Sequence, residues 1–397
     1  MAADFKYIIV GRGMMGAAAA RHLAKQTDGV AVIGPNEPED RKNHTGVFAS
    51  HYDEGRITRT IDQDADWARL ANRSIARYAE IEQESGIQFY SETGCLLVGP
   101  KRGGSNPFVA DVVDASQQLQ ARIDVLDGGG LKAKFPYFAF DQASEGVYEP
   151  RNAGHISPRR LVKAQSLLAE KAGATVIKDI VKSIRDEDGL VVVTTVEGKT
   201  YRAEKVLSAA GGFSITQNLL AEPVEMKVRG RTVVYFEISQ EDAQTYAGMP
   251  SVITEDANPV DSIYLLPPIR YPDGKLYIKI GGDPDDFELD SDEALRAWFR
   301  TDGRPHVREH LTRIIRKLIP DLTPLSISTA SCVTSYSRST YPMIAYTSSP
   351  RIAVMTGCAG TSAKSSDEIG RLGAELLLEG RIKDQGYKTD FAAYFRD

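Results

Sequence analysis

Apolar residues recur along the chain in short unbroken runs and in alternations, and both patterns predict strands. Tyr7–Val10, YIIV, and Val30–Gly34, VAVIG, read as short buried strands. Between them AAAARHLAKQ is a run of strong helix formers, stopped by TDG. Further on, GATVIKDIVKSI (173–184), the alternation Val191–Val196 and the run KVLSAAGG (205–212) give helix, strand, hairpin and strand in succession. The stretch SIYLLPPIRYPDGKLYIKIGGDP (262–284) predicts two strands about the turn YPDG. In RNAGHISPRRL a helix begins at Pro158, with His155 as a turn residue before it. These elements define an α/β chain.

The first strand, turn, helix and second strand enclose GRGMMG, Gly11 to Gly16. In such a unit Gly11 permits the tight turn, Gly13 lets a pyrophosphate approach the backbone, and Gly16 lets helix and strand pack closely. The helix start supplies free N–H groups and a positive dipole end for phosphates. A dinucleotide is the expected ligand. One feature departs from the pattern: an acidic residue ordinarily ends the second strand and holds the ribose hydroxyls. Here Gly34 stands in its place, followed by Pro35, Asn36 and Glu37, so either Glu37 reaches back or backbone atoms do that work.

Composition narrows the partners. At 397 residues the chain exceeds what one hydrophobic core usually organises, which predicts two domains. A net charge of −6 supplies no basic field for nucleic acid or an anionic membrane, so small ligands are expected. Cys95, Cys332 and Cys358 are too few and too scattered for a disulfide framework or a zinc site. No signal-peptide core and no bilayer-spanning run are present, and a reducing cytoplasm is the expected compartment.

Two further stretches carry candidate chemistry. SHYDEGRITR, Ser50 to Arg59, holds Arg56 and Arg59 three residues apart, which in a helix would bring both guanidiniums to one face. An arginine fork matches a carboxylate through two parallel hydrogen bonds. TGCAGTSAKSSDEIG, residues 356–370, packs small residues around the single Lys364 before a helix start at Ser365 or Ser366. Small residues let the backbone pass close to a flat or bulky group, and a long cation among them points to bound negative charge.

From GRGMMG to TGCAGTSAKSS the chain resembles the D-amino-acid-oxidase-like FAD-dependent oxidoreductases, in their glycine oxidase and sarcosine oxidase branch. That resemblance implies a Rossmann-like, glutathione-reductase-type FAD domain interleaved with a substrate domain on a large mixed sheet. Segments 1–90, 149–220 and 330–397 would build the first, and 91–148 and 221–329 the second. It places Gly11, Gly13, Met14, Met15, Gly16, Glu37, Ser50, Arg56, Val181, Ala210, Gly211, Gly357, Gly360 and Lys364 against the cofactor. Arg59 and Lys364 become a two-cation clamp for one substrate carboxylate, and Arg56 lies against the flavin.

The same resemblance puts Lys279 over the flavin as the group that helps dioxygen accept electrons, and Tyr264 in the substrate cavity. Cys332 falls on the cysteine bonded through sulfur to the flavin; the alternative is a small buried apolar group, the role assigned to Cys95 and Cys358. Asp283 occupies the place of an active-site histidine and would favour a cationic amine or a hydrogen-bond-donating side chain. His51 lies in the flavin loop, either in contact with substrate or ring or as a structural residue. The implied reaction oxidises a carbon–nitrogen single bond of an amino acid or N-substituted amino acid. It gives an imine that water hydrolyses, with O2 reduced to hydrogen peroxide. A dehydrogenase passing electrons to a protein or quinone, and a flavin-binding subunit without chemistry, are the alternatives.

Overall fold

The computed structural model describes residues 2–384 and 386–396. At its N-terminus β1 (Phe5–Val10), α1 (Met14–Ala24) and β2 (Val30–Ile33) follow one another, and the two strands pair in parallel. Four consecutive alanines, Ala17 to Ala20, keep α1 thin and are wholly buried. The last helix, Ser366–Glu379, can therefore pack directly on it: a Cβ on Gly370 would lie 2.7 Å from the Ala19 nitrogen.

β1 and β2 are central to an eight-stranded sheet, flanked by Thr175–Ile177 on one side and Thr200–Ser208 on the other. Val181–Glu187 and Leu190–Thr195 form the expected hairpin on Thr200–Ser208, and the alternation buries Val191, Val193 and Thr195. Ile352–Thr356 joins the same strand in parallel, so residues from both ends of the chain complete this layer.

A second sheet has nine strands organised on Lys227–Ile238. Ile263–Arg270 and Leu276–Gly281 are the two strands about YPDG; the turn closes with Gly274 N donating to Tyr271 O at 2.9 Å, and Gly274 takes φ +82°. Strand alternation sends Ile278 and Ile280 to one face, where they pack with Val307, Leu311 and Ile315 of helix Pro305–Leu318. Lys279 therefore points to the other face. Strand Ser326–Tyr336 pairs with Lys227–Ile238 along its length, so the expected boundary at residue 330 falls inside a strand of the large sheet. On this sheet membership we propose the interleaved two-domain division, with that strand counted in the substrate domain.

The third sheet is small: β3 (Arg56–Thr58), Gly154–Ile156 and Tyr90–Ser91. His155 thus belongs to a strand, where the sequence suggested a turn, while the helix does begin at Pro158 with Ser157 as its cap. α2 (Ala65–Ile75) follows β3, and the Asp64 side chain accepts from Asp66 N and Trp67 N at its start.

One buried carboxylate ties the last helix to α1, to helix Pro158–Lys171 and to Arg77 at the start of helix Tyr78–Ser85. Asp367, in the first turn of the last helix, accepts from Arg21 Nη2 at 2.8 Å, Gln165 Nε2 at 2.8 Å, His22 Nε2 at 3.2 Å and Arg77 Nε. Burial opposes its charge, but His22, Arg21 and Arg77 hold its pKa well below the ordinary 3.8. A depressed carboxyl pKa adds stability that is present above the unfolded value and lost as pH falls through the folded one. Asp367→Asn is expected to lower unfolding stability by about 3–5 kcal/mol, read as a shift in urea midpoint at neutral pH. The variant should then lose less stability than the parent on acidification below pH ~4, the ordinary range of the carboxyl.

Candidate active site

A cavity of about 390 Å³ opens over the β1–α1 turn. Gly11, Gly13, Met14, Met15, Ser50, His51, Val181, Ala210, Gly211 and Gly357 all line it. Gly11 has φ +106°, and a Cβ there would overlap Ala209 O; a Cβ on Gly16 would overlap Gly11 O. Both are therefore glycines for packing reasons, and Gly16 does not line the cavity. Gly13 differs: the nearest atom to a Cβ there is His51 Nδ1 at 3.9 Å, so this residue faces open space. Among the described residues no side chain caps α1, and its first two residues, Met14 and Met15, line the cavity. Gly360 lies outside the lining.

The far end of this cavity is built differently from the sequence expectation for Glu37. That carboxylate is held by Arg159 through two hydrogen bonds of 2.7 Å, and it does not line the cavity. Gly34 is required instead, because a Cβ there would lie 2.9 Å from Arg12 N. Arg12 lines the cavity and donates to the Asn36 side chain. The signal for Arg12 was inside the motif itself, as the residue between its first two glycines. Cys358, assigned to packing, also lines the cavity.

His51 has a buried Nδ1 without a hydrogen-bond partner among the described residues. Burial and the nearby Arg159, Arg12 and Arg56 push its pKa down to about 3. The ring is neutral at pH ~7, and its Nδ1 lies beside Gly13 on the cavity wall.

Beyond the cavity lie two clusters of buried charge. In the first, Asp53 receives Lys279 Nζ, Arg56 Nη1 and, at 2.8 Å, the Tyr271 hydroxyl. Lys279 also donates to Gly55 O at 2.8 Å and is fully buried, with Tyr264 placing its ring 5.8 Å from Nζ. Burial and Arg56 push the Lys279 pKa down to about 8, against the pull of Asp53. Arg56 reaches Ser50 O at 2.9 Å and lies 3.5 Å from Cys332 Sγ. Arg56, Ser50, Lys279, Tyr264 and Cys332 thus share one neighbourhood.

The second cluster joins Arg59 and Lys364 at Asp62. Arg59 Nη2 and Lys364 Nζ reach the same oxygen, Asp62 Oδ2, at 2.9 and 3.2 Å. Lys364 also donates to Thr361 O at 3.2 Å and stands 5.7 Å from the Trp67 ring centre. Burial and Arg59 push its pKa down to about 8. Nearby Glu149 accepts from Thr60, and burial raises its pKa to about 7. Arg56 and Arg59 end in different clusters because the segment between them is β3 and not a helix; three residues along a strand reverse the side-chain direction.

Asp283 does not stand free. Its carboxylate accepts from Arg304 Nη2 at 3.1 Å and from Thr232 N at 3.4 Å, and burial raises its pKa. Asp53 and Asp62 lie beside the arginines of DEGRITRTID, and no motif in the sequence marks them as their counter-ions.

A family profile described as DAO, FAD dependent oxidoreductase, matches residues 6–376. The chain therefore belongs to this family of FAD-dependent oxidoreductases. It is 24% identical over 389 residues to the monomeric sarcosine oxidase of Bacillus sp. (strain B-0618), covering 96% of this chain and 94% of that one. Among solved structures, NikD, described as an unusual amino acid oxidase essential for nikkomycin biosynthesis, superposes with a TM-score of 0.78 at 19% identity, covering 99% and 98% of the two chains. L-proline dehydrogenase from P. horikoshii superposes at 0.74 with 18% identity over 96% of each chain. Among the described residues no group of acidic, histidine and cysteine side chains could hold a metal, and no helix is long and apolar enough to cross a membrane.

Proposed function

We propose that this chain oxidises the carbon–nitrogen single bond of an amino acid or N-substituted amino acid, with Arg59 and Lys364 gripping the substrate carboxylate. The observation that carries the reading is their convergence, from distant parts of the chain, on a single buried carboxylate oxygen. Two cations sharing one oxygen have the geometry for recognising an acid group. The printed names of the sarcosine oxidase and amino acid oxidase relatives support the same substrate class.

The residues present fit FAD. Gly13 offers an open face for a pyrophosphate, Met14 and Met15 offer uncapped N–H groups, and His51 Nδ1 waits for a partner. Gly11, Ser50, Val181, Ala210, Gly211 and Gly357 would complete the cradle, with Arg56 beside the ring. Bound FAD supplies the two-electron acceptor. The chain's part is positioning: a carboxylate fixed by Arg59 and Lys364 limits how the reacting carbon can be presented, and such orientation accounts for much of a rate enhancement. The amine must be neutral to react, which a pocket ringed by cations favours. Tyr264 would line the substrate space. Asp283, already bound by Arg304, would act there through its pairing partner and not as a free acceptor. The imine product is hydrolysed by water.

Lys279 would stabilise the negative charge that develops as dioxygen is reduced to peroxide. A second reading, a dehydrogenase delivering electrons to a protein or quinone, is favoured by the hold of Asp53 on Lys279. One mole of peroxide per mole of substrate consumed identifies the oxidase, and none identifies the dehydrogenase. The substrate class itself is tested by anaerobic bleaching of the flavin: amino acids and N-alkyl amino acids should bleach it and the matching decarboxylated amines should not.

Cys332 is the candidate for a thioether to the flavin, with Arg56 3.5 Å from its sulfur. Yellow colour is then expected to stay with the acid-precipitated protein. In Cys332→Ser the colour should pass into the supernatant, measured by its visible spectrum.

A further inference from the structure

We propose that Asp62 is an internal competitor for the substrate's carboxylate, a built-in counter-ion that an incoming acid must displace from Arg59 and Lys364. The inference rests on the carboxylate clamp proposed above and adds the residue that sets its strength. Two cations buried side by side are costly unless an anion accompanies them. Asp62 supplies that anion from the short link between β3 and α2, and it is itself buried. Burial works against its charge, yet Arg59 and Lys364 hold its pKa below the ordinary value.

The bonding shows a site that is filled but not finished. Among the described residues Asp62 Oδ2 takes both cations, while Oδ1 accepts from Asp64 N alone, at 3.4 Å. Lys364 is left with Thr361 O and the face of Trp67 as its other partners. Arg59 offers Asp62 Nη2, while its buried Nε has no partner among the described residues. A buried guanidinium nitrogen without an acceptor costs free energy, and it points to a second acceptor still to arrive. An external carboxylate can bond Nε first and then replace Asp62 on Nη2 and on Lys364, so that a buried anion is exchanged for another. No covalent bond changes.

Displacement has a consequence for selectivity. Small anions that offer charge and nothing else meet an occupied clamp. A substrate whose side chain gains contacts elsewhere can overcome the internal competitor, and its observed affinity is the intrinsic affinity multiplied by the fraction of molecules in which Asp62 has released the clamp.

The test uses flavin-loaded protein and acetate, a carboxylate without an amine, titrated while the flavin spectrum and the melting temperature are followed. Titrated at pH ~6, below the range in which Lys364 loses its charge, Asp62→Asn should bind acetate at least about tenfold more tightly than the parent, because the competing state is removed. Acetate should also raise its melting temperature more. Asp62→Glu should keep the weak binding of the parent, and Arg59→Met combined with Asp62→Asn should abolish binding. Asp62→Ser carries the same expectation should the asparagine variant fail to retain flavin. Acetate binding in Asp62→Asn that is equal or weaker, yet still lost with Arg59→Met, overturns the role of Asp62 and leaves the clamp standing. Acetate without effect on any flavin-loaded form overturns the clamp and the competitor together.

Discussion

Lys364→Met is expected to lower kcat/KM for an amino acid substrate about 10²-fold, from the loss of a charge-assisted bond worth roughly 1.5–3 kcal/mol. Methionine keeps much of the length and removes the charge. Flavin content should be unchanged, since the side-chain partners of Lys364 are Asp62, Thr361 and Trp67. The loss has a second source: without Lys364, Arg59 and Asp62 form a one-to-one ion pair, and Asp62 competes harder for the remaining cation. A decarboxylated amine should be turned over equally poorly by parent and variant. The pH profile carries an independent signature. Lys364 has its pKa pushed below the ordinary 10.5 to about 8, so its charge is present below that pH and lost above it. Carboxylate binding in the free enzyme therefore weakens above pH ~8, which kcat/KM reports. Deprotonation of the substrate amine pushes in the opposite direction, giving a bell. Lys364→Met should lack the alkaline limb that comes from the lysine. A variant with unaltered KM and an unaltered profile would remove Lys364 from substrate recognition.

What the sequence disclosed follows from how local each signal is. GRGMMG between two apolar runs is a contiguous unit, and its turn, helix and strand form where expected because the pattern needs no distant partner. The YPDG hairpin is local in the same way. Glu37 failed as a cavity residue because Arg159, on a helix more than a hundred residues later, turns it aside. Arg56 and Arg59 were separated by β3, a three-residue strand whose existence depends on pairing with Gly154–Ile156. No short-range periodicity announces such a strand. Asp53 and Asp62 are the deeper omission. Each reads as one more acidic residue in a polar loop, and only tertiary packing against Lys279 or Lys364 turns it into a buried counter-ion. The cations of an active site can be guessed from motifs; the anions that balance them become visible only when the space around them is known.

That balance decides the second large effect. Lys279→Met is expected to slow reoxidation of the reduced flavin by dioxygen about 10²–10³-fold, the usual cost of removing one aligned charge or donor from a site of developing negative charge. Anaerobic reduction by substrate should change little, because the proposed carboxylate clamp, Arg59 and Lys364, belongs to the other cluster. Around Asp53 two cations face one anion, so a net positive charge remains beside Tyr264 even with the ion pair intact. Removing Lys279 leaves Asp53 bonded to Arg56 and Tyr271, so no orphaned anion is created and the fold should survive. Asp53→Asn is the complementary change: it removes the anion that holds the Lys279 pKa up against burial and Arg56, so the lysine should lose its charge, and the oxygen reaction its speed, at a lower pH than in the parent. Burial already pushes the Lys279 pKa to about 8, so the oxygen rate of the parent should fall as pH rises through that value, while the methionine variant stays slow and flat. Stopped-flow mixing of the reduced protein with aerated buffer separates the outcomes. If parent and methionine variant react with oxygen equally slowly and no peroxide accumulates, the lysine is a structural cation locked to Asp53, and electrons leave the flavin for another acceptor.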